Sequence, residues 1–180
     1  MSDSRSEVVS VTHPLVEQLR FTRSEFLRAV DGTPEEDALV RLGPMNSIGW
    51  IVGHMAWHEQ LYWLKRQQGL TPVPQLDELA ATGRPATTPL LGDMLAAWRS
   101  TTMIADPWLD GLHQADLAEP LRSSPVPRTL GSALLRVIYH YWFHTGEILA
   151  IRQQLGHPDL PEYVGPTLDT EHPYRAEADG

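Results

Sequence analysis

At 180 residues, with a formal net charge of −9 and no cysteine, the chain can bury one sizeable core and excludes disulfides, cysteine-ligated zinc and a cysteine nucleophile. Its 42% apolar and 21% charged residues suit a globular domain, not a disordered one. The acidic surface repels phosphate backbones, and the thirteen arginines and single lysine (Lys65) are scattered, so nucleic acid is not an expected partner.

Four long helices are expected in chain order, with no internal repeat and no convincing period-two alternation. The first spans about Pro14 to Val30. Thr12 is a suitable cap, and Pro14 sits in the first turn, where a missing N–H is harmless. Leu15, Leu19, Phe26 and Val30 make one apolar stripe, and Asp31-Gly32 ends the helix. The second spans about Ser47 to Gln68, capped by Asn46 or Ser47 and stopped by Gly69. It carries Ile48, Ile51, Met55, Leu61 and Leu64, and three tryptophans spread around its circumference.

Residues 69–88, with Pro72, Pro74, Gly83 and Pro85, form a connection long enough to suggest a functional or mobile segment. Thr88-Pro89 then signals a third helix with Leu91, Met94, Leu95 and Trp98 inward, which Pro107 should kink or break before Leu112. A second irregular stretch, about 113–128, precedes a fourth helix from about Leu130 to Leu155, with Thr129 as cap and Gly156 as stop. Val137, Tyr141, His144, Ile148 and Ile151 share one side of it. From Pro158 the tail is polar and holds four prolines, Pro158, Pro161, Pro166 and Pro173, expected to wrap the surface or fray. The reading is a single all-α domain over 1–180, a four-helix bundle over about 12–156 with long irregular connections and an extended tail over 157–180. No apolar run approaches the roughly 18 residues of a membrane helix, and MSDSRSEVV lacks the features of a signal peptide. No membrane partner and a cytoplasmic location are expected.

The chemistry concentrates in two stretches, Gly53-His54-Met55-Ala56-Trp57-His58-Glu59 and His140-Tyr141-Trp142-Phe143-His144-Thr145-Gly146-Glu147. Residues four apart on a helix are neighbours on one face, with Cβ atoms roughly 5–6 Å apart. His140 and His144 can therefore aim two imidazoles at one point, and the second helix supplies another from His54 or His58. Three imidazoles with open positions describe a catalytic zinc, nickel or iron site more than a structural one. Hydrogen-bonded core histidines are the competing reading of the same spacing. His58 can also sit at the rim as a proton shuttle. Glu59 and Glu147 read first as exposed helix residues, although Glu147 is also placed to accept an imidazole N–H. His13, His113, His157 and His172 fall at helix ends or in loops and read as capping or surface residues. No G-x-S-x-G elbow, G-x-G-x-x-G or P-loop occurs.

Asn46-Ser-Ile-Gly-Trp-Ile-Val-Gly-His54 and the run from Thr129 to Ile148, closing on His144-Thr-Gly-Glu-Ile148, resemble the DinB-like superfamily over roughly residues 12–156. That group includes bacillithiol- and mycothiol-dependent transferases and isomerases. The resemblance implies a divalent metal held by His54, His140 and His144. It implies a small-molecule substrate and a low-molecular-weight thiol cosubstrate, the metal turning the thiol into a thiolate nucleophile. On this reading Trp50, Met55, Trp57 and Tyr141 line the pocket, His58 moves a proton and Glu147 supports a ligand. The arginine-over-lysine bias, with abundant Ala and Pro, suggests a GC-rich genome and makes mycothiol a plausible thiol. A metal-bound hydroxide doing hydrolysis is the nearest variant. The alternative is a non-catalytic small-molecule-binding or stress-related bundle with a structural metal or none. An exposed apolar patch on such a bundle would favour a homodimer.

Overall fold

The computed structural model describes residues 12–163 and 168–171, and the expectations for MSDSRSEVV, Pro166, His172 and Pro173 lie outside them. Among the described residues there is no strand, and no helix is long and apolar enough to cross a membrane.

Helix α1 (Pro14–Val30) starts with Pro14 at its first position. Its cap is His13, whose Nδ1 accepts from the Leu15 amide at 3.1 Å, and not Thr12, whose hydroxyl reaches Asp110 at 3.3 Å. Val16, Leu19, Phe26 and Val30 form its buried stripe. A short helix, α2 (Glu35–Ala38), follows. Its Glu35 carboxylate accepts from the Leu91 and Gly92 amides at 2.5 and 3.2 Å, satisfying donors that α6 (Leu91–Asp110) would otherwise leave open. Thr88-Pro89 therefore precedes α6 without capping it. The helix runs on through Pro107 and stops three residues later, at Asp110. The carbonyl four residues before Pro107 belongs to Met103, which is 71% exposed, so water can serve it.

Helix α3 (Ile48–Glu59) is capped by Ser47, whose hydroxyl accepts from the Trp50 amide at 3.2 Å. It continues without a break into a π-helical segment, Gln60–Lys65, and a last turn, α4 (Arg66–Gln68), before Gly69 at φ 72°. Helix α5 (Leu76–Leu79) interrupts the long connection, and a 3₁₀ turn, Gln114–Ala118, interrupts the second one. Helix α7 (Leu130–Gln154) is capped by Thr129, and α8 (Leu168–Glu171) lies in the tail.

The bundle consists of two helix pairs, α1 against α7 and α3 against α6, joined where α3 meets α7. Gly53 lets α3 approach α6, and Gly49 lets it approach the turn just before α6. A Cβ on Gly49 would collide with the Pro89 carbonyl oxygen, and one on Gly53 would sit 2.5 Å from Met94 Sδ. The tail folds back on α1, where the Tyr163 hydroxyl donates to the Glu25 carbonyl at 2.9 Å and the Arg28 guanidinium lies over the Tyr163 ring.

Candidate metal centre

Gly53 presses one side of α3 against α6, and the next residue, His54, faces α7. One turn on, His58 faces the same way, and α7 answers with His140 and His144. Four imidazoles meet there. The His54 ring centroid lies 4.8, 5.1 and 5.3 Å from those of His58, His140 and His144. His58 and His140 are 4.2 Å apart and His140 and His144 4.6 Å. His54, His58 and His144 are buried and His140 is half-buried.

Three of these imidazoles are held neutral at physiological pH. Burial pushes His54 down from 6.5 to about 4, the bond to Ala80 opposing and repulsion from His144 adding to the effect. Burial, then His144, His54 and Arg136, takes His140 to about 3. Burial and the neighbouring His140 hold His58 well below its usual range. A neutral imidazole keeps one ring nitrogen with a free lone pair, the form that binds metal.

The long connection fixes one of those tautomers. Gln60 clasps Val73 in both directions, its Nε2 donating to the carbonyl at 3.1 Å and its Oε1 accepting from the amide at 2.8 Å. Asp77 accepts from Trp57 Nε1 at 2.8 Å and Lys65 Nζ at 2.9 Å, and these bonds hold its carboxyl below the usual range against the effect of burial. So pinned, the strap presents the Ala80 carbonyl to His54 Nδ1 at 2.8 Å. A carbonyl only accepts, so Nδ1 carries the proton and Nε2 is left bare. His144 Nδ1 donates likewise to Glu147 at 2.8 Å. These are the outer partners that metal-bound histidines characteristically have. The Nε2 atoms of His140 and His144 stand 2.9 Å apart, while Nδ1 of His58 and of His140 is buried with no partner.

Two overlapping sets of three emerge. His54, His58 and His140 each bring one ring nitrogen within 4.8 Å of the others. His54, His140 and His144 include both imidazoles that are oriented by an outer acceptor. The first set could hold a divalent ion, its imidazole nitrogens converging from two helices.

The aromatic surroundings differ from the pocket expected of them. Trp50 and Trp57 stack on opposite turns of His54, at 4.6 and 5.7 Å, and wall the site. Met55 and Tyr141 are fully buried and line no open mouth. Tyr141 belongs instead to a polar network on the other side of the α3–α7 contact, and so does Glu59, which is 0% exposed instead of solvated. Arg23 Nε and a terminal nitrogen donate to Glu59 at 2.8 and 2.6 Å, and its other terminal nitrogen donates to Asp106 at 2.6 Å. The Tyr141 hydroxyl donates to Glu59 at 2.7 Å and accepts from Trp98 Nε1 at 2.7 Å. Burial opposes the Arg23 charge, but the two carboxylates outweigh it and hold the guanidinium protonated. Burial and the Glu59 charge raise Tyr141 far above 10. Sequence gave one unused signal for this network: Arg23 stands between Leu19 and Phe26 on the inward side of α1.

Beyond His140 the surface opens into a groove of about 430 Å³ lined by Ser132, Leu135, Arg136, Tyr139 and His140.

No curated protein matches the sequence. A crystal structure titled as the conserved protein of a locus from Enterococcus faecalis shares the fold at TM-score 0.56 and 14% identity, over 79% of this chain and 95% of that one. The profile of the DinB superfamily matches residues 18–148, and the chain belongs to that superfamily.

Proposed function

We propose that this protein is a divalent-metal enzyme that activates a low-molecular-weight thiol for transfer or isomerisation, with His54, His140 and His144 as the metal ligands. The observation that supports it most is the convergence of four imidazoles from two helices, with Nδ1 of His58 and of His140 buried without a partner and the rings of His54 and His144 oriented from behind by Ala80 and Glu147. A bound divalent ion would lower the pKa of an arriving thiol and supply a thiolate at neutral pH.

The chain's own residues do the rest. Trp50 and Trp57 shield His54 from water, and the pinned strap keeps its ring from turning. His58 is buried beside the other three rings with Nδ1 unpartnered, and it is the group placed to relay the thiol proton to the product. The groove beside His140 is the entry for the small-molecule substrate. Mycothiol stays the expected thiol, on the composition argument above.

Metal content by mass spectrometry on untagged protein tests this reading, with His54→Ala, His58→Ala and His144→Ala beside the wild type. Near one equivalent in the wild type and in His58→Ala, lost in the other two variants, is the expected result. Loss in His58→Ala with retention in His144→Ala would move the site to the other three histidines. No uptake of zinc, nickel or iron(II) by the wild type would leave a non-catalytic binding bundle.

A further inference from the structure

We infer that the groove beside His140 is a carboxylate subsite, in which Arg136 anchors a small anionic molecule with an apolar body next to the histidine cluster. The inference deepens the reading above and rests on it for what the carboxylate is brought beside.

The groove, at about 430 Å³, is of a size that takes small molecules. Arg136 lies one helical turn before His140, is exposed, and has no ion-pair partner among the described residues. Other arginines are committed elsewhere. Arg20 pairs with Asp110, Arg23 with Glu59, and Arg28 with Glu25, while Arg128 donates to Tyr62 and Arg152 to the Ala29 carbonyl.

The donor set gives the second argument. A divalent ion held by imidazoles alone would keep its full charge, and the Glu147 carboxylate is engaged by His144. With such an ion bound, the Arg136 cation would make the mouth positive in a chain of net charge −9. Such a field favours anions, and a guanidinium fork matches a carboxylate with two parallel hydrogen bonds. Leu135 and Tyr139, 37% and 64% exposed, offer an apolar wall for the rest of the ligand.

The test is calorimetric titration of the full chain with 3-phenylpropionate and with its neutral amide, metal-free and zinc-loaded, in wild type, Arg136→Met and Arg136→Lys. The carboxylate should bind wild type at least about tenfold more tightly than the amide. Arg136→Met should lower the carboxylate to the level of the amide without changing zinc stoichiometry, and Arg136→Lys should keep part of the preference. Equal binding of acid and amide, no binding of either, or an unchanged preference in Arg136→Met overturns the subsite. So does a dimer that buries Tyr139 and excludes the acid. Carboxylate preference without zinc uptake would sink the metal reading and leave the subsite standing. Zinc uptake without the preference does the reverse.

Discussion

His58 and Glu59 are consecutive on α3, and His140 and Tyr141 are consecutive on α7, yet the two sets of neighbours live under opposite conditions. On the inner side, Glu59 and Tyr141 bond each other directly, and Arg23, Asp106 and Trp98 complete a buried network that draws on all four long helices. On the outer side, Nδ1 of His58 and of His140 is buried with no partner. Buried polar groups are nearly always paired, and those that are not call for an explanation. The inner set explains itself: it rivets α3 to α7 at the level of the histidines. The outer set fits the metal proposed above, since His58 and His140 belong to a group of three imidazoles that could hold one. On that proposal the difference separates residues that build the site from residues that would serve in it.

The largest break in that contrast should come from the inner side. Glu59→Ala leaves the buried Arg23 with only the partly exposed Asp106 as ion partner and the Tyr141 hydroxyl without its acceptor, and should cost about 3–5 kcal/mol of stability, read by denaturant unfolding. A loss under 1 kcal/mol would mean that Arg23 and Glu59 are not a buried pair in solution. Next comes the support of a ligand. Glu147→Ala frees His144 from its acceptor and should weaken metal affinity by about 10–100-fold with little change in unfolding. Unchanged affinity would take Glu147, and with it His144, out of the site. The smallest effect belongs to the unpartnered ring itself. His58→Leu removes no hydrogen bond that is made through Nδ1, so metal-free stability at neutral pH should change by no more than about 1 kcal/mol.

Acid sharpens the same comparison. In the folded state His54 is depressed from 6.5 to about 4, His140 to about 3, and His58 well below 6.5. The unfolded chain therefore takes up protons first as pH falls. Their contribution is present in full above 6.5 and is lost progressively as pH drops through about 4 and 3. Urea unfolding of metal-free protein across that range should show a falling stability whose slope is shallower in His58→Leu. A flat profile would mean that the histidines are solvated.

Much of the frame was legible because it depends on local signals. The apolar stripes, Ser47 and Thr129 as caps, and Gly69 and Gly156 as stops bound the long helices, and the His-x-x-x-His spacing locates half of the cluster. What escaped is long-range. Glu59 reads as a surface residue until Arg23, 36 positions earlier, is seen to be buried against it. Tyr141 and Met55 share helices with the histidines but point into the core, which a list of nearby aromatic and apolar residues cannot reveal. The strap over residues 69–88 read as functional or mobile, but only the fold shows that its Ala80 carbonyl is the acceptor for His54. His13 outcompetes Thr12 as the α1 cap because the Thr12 hydroxyl is drawn to Asp110, a residue 98 positions away.

The π-helical segment Gln60–Lys65 has a consequence for what α3 can present at once. Each residue turns an α-helix by about 100°, and a single π turn holds roughly one residue more than an α turn. The half before it offers Gly53 to α6 and His54 and His58 to α7. The C-terminal half of the segment itself buries Trp63 and Leu64. Deleting one residue between 60 and 65 to restore a regular helix would leave only one half in phase. With Trp63 and Leu64 kept in the core, His54 and His58 would swing about a quarter-turn away from His140 and His144. That spare residue works as a frameshift in space, letting one rod serve two facings, and a relative of the same length without it would have to place its ligands at different sequence positions.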